Sequence, residues 1–262
     1  MTHNASVAAA AAIPDDALAA LVGIDAQKLA ARMAQDGFSK VFRLTLEADD
    51  AGRAAGVGAL ADAIRNWSRA AGGDDAAALR LALVVTGLDQ WGLAYSQAFG
   101  LSGIPALSEL LGALRTDLDA VADARFQQQF AAIEADEGNA IDFKVDLRRG
   151  IHLALWHAMI ASTEREQASA ILVCLGGMMF ALVQRMPTLG WRLVADALAH
   201  IQIQCLAEGL AAEGLASEMN AALFASLAKE LPADCRDRVL AHATQAVLAW
   251  QQARRQSSTS TH

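Results

Sequence analysis

Tyrosine occurs once, proline four times and cysteine three times in 262 residues. The cysteines, Cys174, Cys205 and Cys235, are odd in number, widely spaced and set in helical patterns, which excludes a disulfide framework. Their roughly even separation is shared by no other residues, so no solenoid period emerges. Their apolar surroundings also disfavour a thiolate nucleophile. No Gly-Lys-Ser/Thr phosphate loop exists, and Ser102 in Gly-Leu-Ser-Gly lacks the frame of a nucleophile elbow. Gly56-Val57-Gly58-Ala59-Leu60-Ala61 fits the loose dinucleotide pattern, but the one strand-like stretch ends too early and no βαβ series follows. Basic residues do not predominate: the formal net charge is -8, which argues against broad binding of nucleic acid. Met1 to Ala12 lacks the basic start of a secretory signal, so a cytoplasmic protein is expected.

What is present is apolar and helix-forming. Hydrophobic residues make up 54% of the chain and charged residues 19%, enough to build a large core and to exclude disorder as the main state. Alanine, which loses no side-chain entropy in a helix, dominates. The expected fold is all-α: about ten antiparallel helices in a compact bundle or helix-pair array. The expected limits are a flexible leader over 1–13, a single helical domain over 14–253 with a possible subdivision near 138, and a disordered tail over 254–262.

Punctuation residues give the expected elements. Pro14-Asp15-Asp16 opens a short helix over Ala17–Val22, and Ala26–Gln35 forms a second that ends at Gly37. Lys40–Glu47 alternates as a strand would, but a strand here has no partner, and the plainer reading is a helix or extended connector packed on the core. Glu47–Gly58 is expected as a loop, followed by a helix over Ala59–Ala71 stopped by Gly72-Gly73. Asp74 caps a long helix to Phe99, interrupted at Gly87 and Gly92. Ile104-Pro105 opens another, and Thr116-Asp117-Leu118-Asp119 forms a capping box before a helix reaching Glu137. Toward the C-terminus, helices over Ser217–Glu230 and Asp234–Gln252 are separated by Leu231-Pro232.

Asn139 to Glu208 reads as three consecutive apolar helices around which the rest is organised. Asn139 caps the first, a capping box at Thr163 the second, Thr188 the third, and Gly209 terminates it. The middle helix, Ala168–Gln184, carries no charge. Its length is at the lower edge of a membrane span, about 20 residues. Gln167, Ser169 and Gln184 weaken its apolar character, so it is expected as a soluble core helix with neighbours pressed close at Gly176-Gly177.

Candidate sites are few. Trp91, Tyr95 and Phe99 form an aromatic stripe at steps of four, either core or the wall of a pocket or partner groove. His152 lies near Arg148, Arg149 and Asp146 and one turn from Trp156; as a general base it would need such neighbours, and the plainer reading is a half-buried histidine with a hydrogen-bond partner. A small-molecule pocket would join the stripe to Arg149, His152 and Trp156. His152 and His157 are five apart and do not share a face, and no paired Glu-x-x-His motifs exist, so neither a metal nor another cofactor is expected. The acid pairs Glu134/Glu137 and Asp119/Asp123 read as solvated faces. Leu18–Gly37 resembles a helix-turn-helix unit, its second helix presenting Gln27, Lys28 and Arg32; the resemblance implies DNA reading. No catalytic constellation appears. The leading expectation is therefore a non-enzymatic helical interaction or regulatory protein with a protein partner or self-association. The alternatives are a ligand-responsive DNA-binding regulator and a small-molecule binder or enzyme.

Overall fold

The computed structural model describes residues 26–116, 118–135, 140–186, 188–208 and 214–259. The leader, the Pro14 helix opening, the first half of the helix-turn-helix segment, the Asn139 cap and the Gly209 terminator lie outside these residues. Among the described residues the protein is all-α, with ten helices and no strand. They are α1 (Ala26–Glu47), α2 (Asp50–Arg69), α3 (Asp74–Phe99), α4 (Pro105–Thr116), α5 (Ala120–Ala135), α6 (Ile141–Ala161), α7 (Arg165–Arg185), α8 (Gly190–Glu208), α9 (Leu215–Glu230) and α10 (Ala233–Thr259).

The helices gather into two compact units. The first takes in the described residues up to Ser96 with Leu101–Leu147, and the second takes in Gln97–Gly100 and everything from Arg148 onward. The division falls inside α6, some way past the polar stretch near 138.

In the first unit α3 is the core. Its residues from Leu81 to Leu88 are buried without a break, as expected of a helix enclosed on all sides. Fully burying side chains such as Leu83 and Leu88 contributes roughly 1.5–3 kcal/mol each. Thr86, inside this run, satisfies its hydroxyl by donating to the Ala82 carbonyl at 2.8 Å. Gly87 and Gly92 do not interrupt the helix. A Cβ on either would overlap a neighbour, Ala34 of α1 or Leu107 of α4, so they are the points of close approach.

Three further expectations for this unit are corrected. α1 does not stop at Gly37 but runs on through Lys40–Glu47, which is helical as the plainer reading had it, because Phe38 and Val41 continue the buried stripe of Ala30, Ala31 and Ala34. Of the alternating leucines, Leu44 packs over Gly56 while Leu46 is exposed. The loop expected over Glu47–Gly58 is mostly helix: Asp49 accepts a hydrogen bond from the Gly52 N–H at 2.8 Å and starts α2. The capping box expected from Thr116 does not form: Thr116 ends α4 with its hydroxyl donating to the Gly112 carbonyl, and Asp119 alone starts α5, accepting from the N–H groups of Val121 and Ala122.

In the second unit α6 contributes Ile151, Leu155, Trp156 and Met159, all fully buried. α7 packs on α8 and α9, and α8 on α10. The expected cap at Thr163 does not form. Glu164 is the N-cap and makes no side-chain cap bond, while the Ser162 hydroxyl donates to the Glu164 carbonyl. Arg254 does not begin a loose tail, because α10 continues to Thr259; residues 260–262 lie outside the described set.

The largest correction concerns α7. It was expected to be enclosed, yet only 28% of its apolar window is buried. Ala168, Ile171, Leu175, Met179 and Leu182 form a single buried stripe, and the opposite face is open. Absence of charge did not distinguish an enclosed helix from one with a bare apolar side. α3, which carries Asp74, Asp75, Arg80 and Asp89, is the one enclosed, over Leu81–Leu88.

Candidate functional site

The aromatic stripe is anchored in the first unit. Trp91 is 2% exposed and stacks on Phe38 with ring centroids 5.5 Å apart. Tyr95 tilts against Phe38 at 4.8 Å and meets Phe42 edge-on. Burial pushes the Tyr95 hydroxyl above its ordinary pKa. Phe99 is half-buried at the end of α3. Phe38 and Phe42, which complete the cluster from α1, were not singled out in the sequence. Their spacing of four was the available signal. The cluster is packed against side chains and is core by its surroundings.

His152, Trp156 and Arg149 belong to the second unit. His152 is fully buried, and neither ring nitrogen has a partner among the described residues. Burial, aided by the Arg148 charge, pushes its pKa down to about 3, so it is neutral at physiological pH. A base with so little affinity for a proton is poorly matched to general-base work near neutrality. The half-buried histidine with a hydrogen-bond partner is corrected on both points. Trp156 donates from Nε1 to Asn220 Oδ1 at 3.2 Å, and Asn220 Nδ2 donates to Cys205 Sγ at 3.6 Å. Arg149 pairs with Asp196 at 2.8 Å, and Asp196 also lies beside His200. His157 is exposed, edge-on to the Trp156 ring. These groups tie α6 to α8 and α9.

The DNA candidates sit on α1. Lys28 and Arg32 are exposed, and Arg32 lies 4.0 Å from Asp36 on the next turn. Gln27 instead accepts from the Phe143 N–H through Oε1, so it is engaged within its own unit. α1 is 22 residues long and buries Ala31, the neighbour of Arg32.

A cleft of about 330 Å³ opens in the first unit at the N-terminal ends of α3 and α5, with Leu81 and Phe126 among its apolar lining and Arg65, Arg69 and Arg125 around it. Arg125 is committed to Asp74 and Asp75, and Arg65 to Asp62 and the Ala113 carbonyl. Its cations are thus largely neutralised by the chain itself. Among the described residues no group of three or more His, Cys, Asp or Glu side chains could hold a metal ion. Burial raises the pKa of the Cys174 and Cys235 thiols.

The outward face of α7 is the remaining feature. Ala170, Val173 and Gly177 are exposed, Val173 at 70%, and Phe180 and Ala181 are half-buried beside them. A Cβ added at Gly177 would meet nothing within 4 Å, whereas one at Gly176 would just touch Leu223 of α9. The sequence reading missed this face because an uncharged helix looks alike inside or out. The available signal was the recurrence of small residues at Ala170, Cys174, Gly177 and Ala181, in alternating steps of four and three. No protein-family model matches the chain, and comparison with curated proteins and with solved structures gives no match.

Proposed function

We propose that this is a non-enzymatic helical interaction protein, soluble and cytoplasmic, whose docking element is the outward face of α7. One observation carries the reading: the longest charge-free helical stretch among the described residues buries fewer than a third of its residues, and Val173 on its outward face is 70% exposed. An apolar helix face in water is costly, and covering it stabilises by roughly 25 cal/mol per Å² of apolar area removed from water. A continuous face of this kind marks an interaction site more readily than isolated exposed leucines do. The titratable groups support the same reading: His152 is held neutral and the cysteine thiols at Cys174 and Cys235 are held protonated, in structural surroundings.

A photo-crosslinking residue placed at Val173 tests it in the producing cell. The expected result is a protein adduct of defined mass, lost when Gly177→Glu is added while circular dichroism is unchanged. No adduct, or an adduct indifferent to Gly177→Glu, contradicts the reading.

A further inference from the structure

We infer that the partner on this face is a second copy of the same chain, with the two α7 helices antiparallel about a two-fold axis between Leu175 and Gly176. The inference rests on the docking reading of α7 given above.

The open face has a seam. Gln167, Ala170, Cys174, Gly177, Ala181 and Gln184 recur in alternating steps of three and four, the spacing that keeps one helix edge against another, and each is exposed or half-buried. The seam is its own mirror image. About that axis Gln167 faces Gln184 of the second copy, Ala170 faces Ala181, and Cys174 faces Gly177. An isologous contact requires this, since each residue meets the partner residue at the mirrored position. Small residues in the middle let two backbones come to the short end of the usual interaxial range of roughly 8–10 Å. The amides at the two ends can bond to each other. A lipid surface would instead be met by a row of large apolar side chains, whereas the middle of this seam is small and only Val173 and the half-buried Phe180 flank it.

Charge sets the direction. Glu164 and Glu166 begin the helix and Arg185 ends it, and none of the three makes an ion pair among the described residues. Antiparallel pairing sets the acidic start of each helix beside Arg185 of the other copy, twice over. Parallel pairing sets acids against acids. The helix dipoles favour the antiparallel arrangement as well.

Sedimentation of the purified full chain over a range of concentrations tests the inference. The expected result is a reversible dimer. Gly177→Glu should weaken it by tenfold or more while leaving the monomer folded, because position 177 has open space on its own chain. Arg185→Glu should weaken it by about tenfold at low salt, and adding Glu164→Arg and Glu166→Arg to that variant should restore it; the effect should fade as salt rises. A monomer at every concentration whose Val173 probe still captures a different protein overturns the second copy and leaves the docking reading standing. A monomer with no capture overturns both. A dimer indifferent to Gly177→Glu, or a chain that stays monomeric and floats with phosphatidylcholine or phosphatidylserine vesicles, also overturns the inference.

Discussion

Gly87 of α3 lies so close to Ala34 of α1 that a methyl group on the glycine would overlap the alanine Cβ, and that methyl would also lie 3.6 Å from side-chain atoms of Leu147 and Phe143. Gly87→Ala therefore forces apart two packed helices and should cost about 1–3 kcal/mol in urea denaturation. Gly177→Ala, in open space on its own chain, should instead gain the monomer, measured at high dilution, about 0.5–1 kcal/mol from helix propensity. Equal losses at both positions would contradict the packing described for α3.

His152 makes stability depend on pH. Its folded pKa, about 3, lies below the value near 6.5 expected in the unfolded chain. The unfolded chain therefore takes up a proton below about pH 6.5, while the folded chain refuses it until about pH 3. Stability falls with decreasing pH across that window, by about 2 kcal/mol at pH 5 from this group alone. His152→Leu, which replaces two unpartnered ring nitrogens with an apolar side chain, should be near neutral at pH 7 and should flatten the decline. Denaturant midpoints of the two proteins measured from pH 7 to pH 4.5 check this; parallel curves would contradict it.

Arg149 and Asp196 are each partly exposed, with about a third of either side chain in water. Solvent screening keeps their pair weak despite its 2.8 Å distance. A double-mutant cycle with Arg149→Ala and Asp196→Ala should give a coupling of about 0.5–1 kcal/mol that shrinks with salt. A coupling of several kcal/mol would mean the pair is far drier than described.

The two buried tryptophans of the candidate sites differ in one respect. Trp156 donates to Asn220, whereas Trp91 Nε1 is buried with no partner among the described residues. Both Trp→Phe changes remove ring volume, but only Trp156→Phe strips Asn220 of a donor. It should cost about 1 kcal/mol more than Trp91→Phe in thermal or urea unfolding. The reverse order would sink the assignment of these bonds.

Helix starts were readable where the capping chemistry is local. Asp74, Pro105, Asp119 and the Leu231-Pro232 break all lie at or beside real boundaries. The capping boxes read at Thr116 and Thr163 do not form, and the remaining errors of extent came from glycine. Gly37, Gly56, Gly87 and Gly92 read as stops or loops because their use is set by partners far along the chain: Leu88, Leu44, Ala34 and Leu107. The stripe from Trp91 to Phe99 gave the spacing of an aromatic cluster, but its enclosure depended on Phe38 and Phe42 from another helix. His152 was legible as a singular residue, though only its surroundings reveal how fully it is buried. The bare face of α7 was hidden for the opposite reason: composition reports how apolar a helix is, and says nothing about how many sides are covered.

A nitroxide attached through cysteine at Val173, in a background lacking Cys174, Cys205 and Cys235, probes the α7 face directly through its accessibility to a water-soluble relaxation agent. If that face is where the protein associates, the label should be shielded in the protein as isolated at high concentration and exposed both on dilution and in the Gly177→Glu variant. A label equally exposed under all three conditions would contradict association through α7; one equally shielded in all three would mean that the chain covers the face itself.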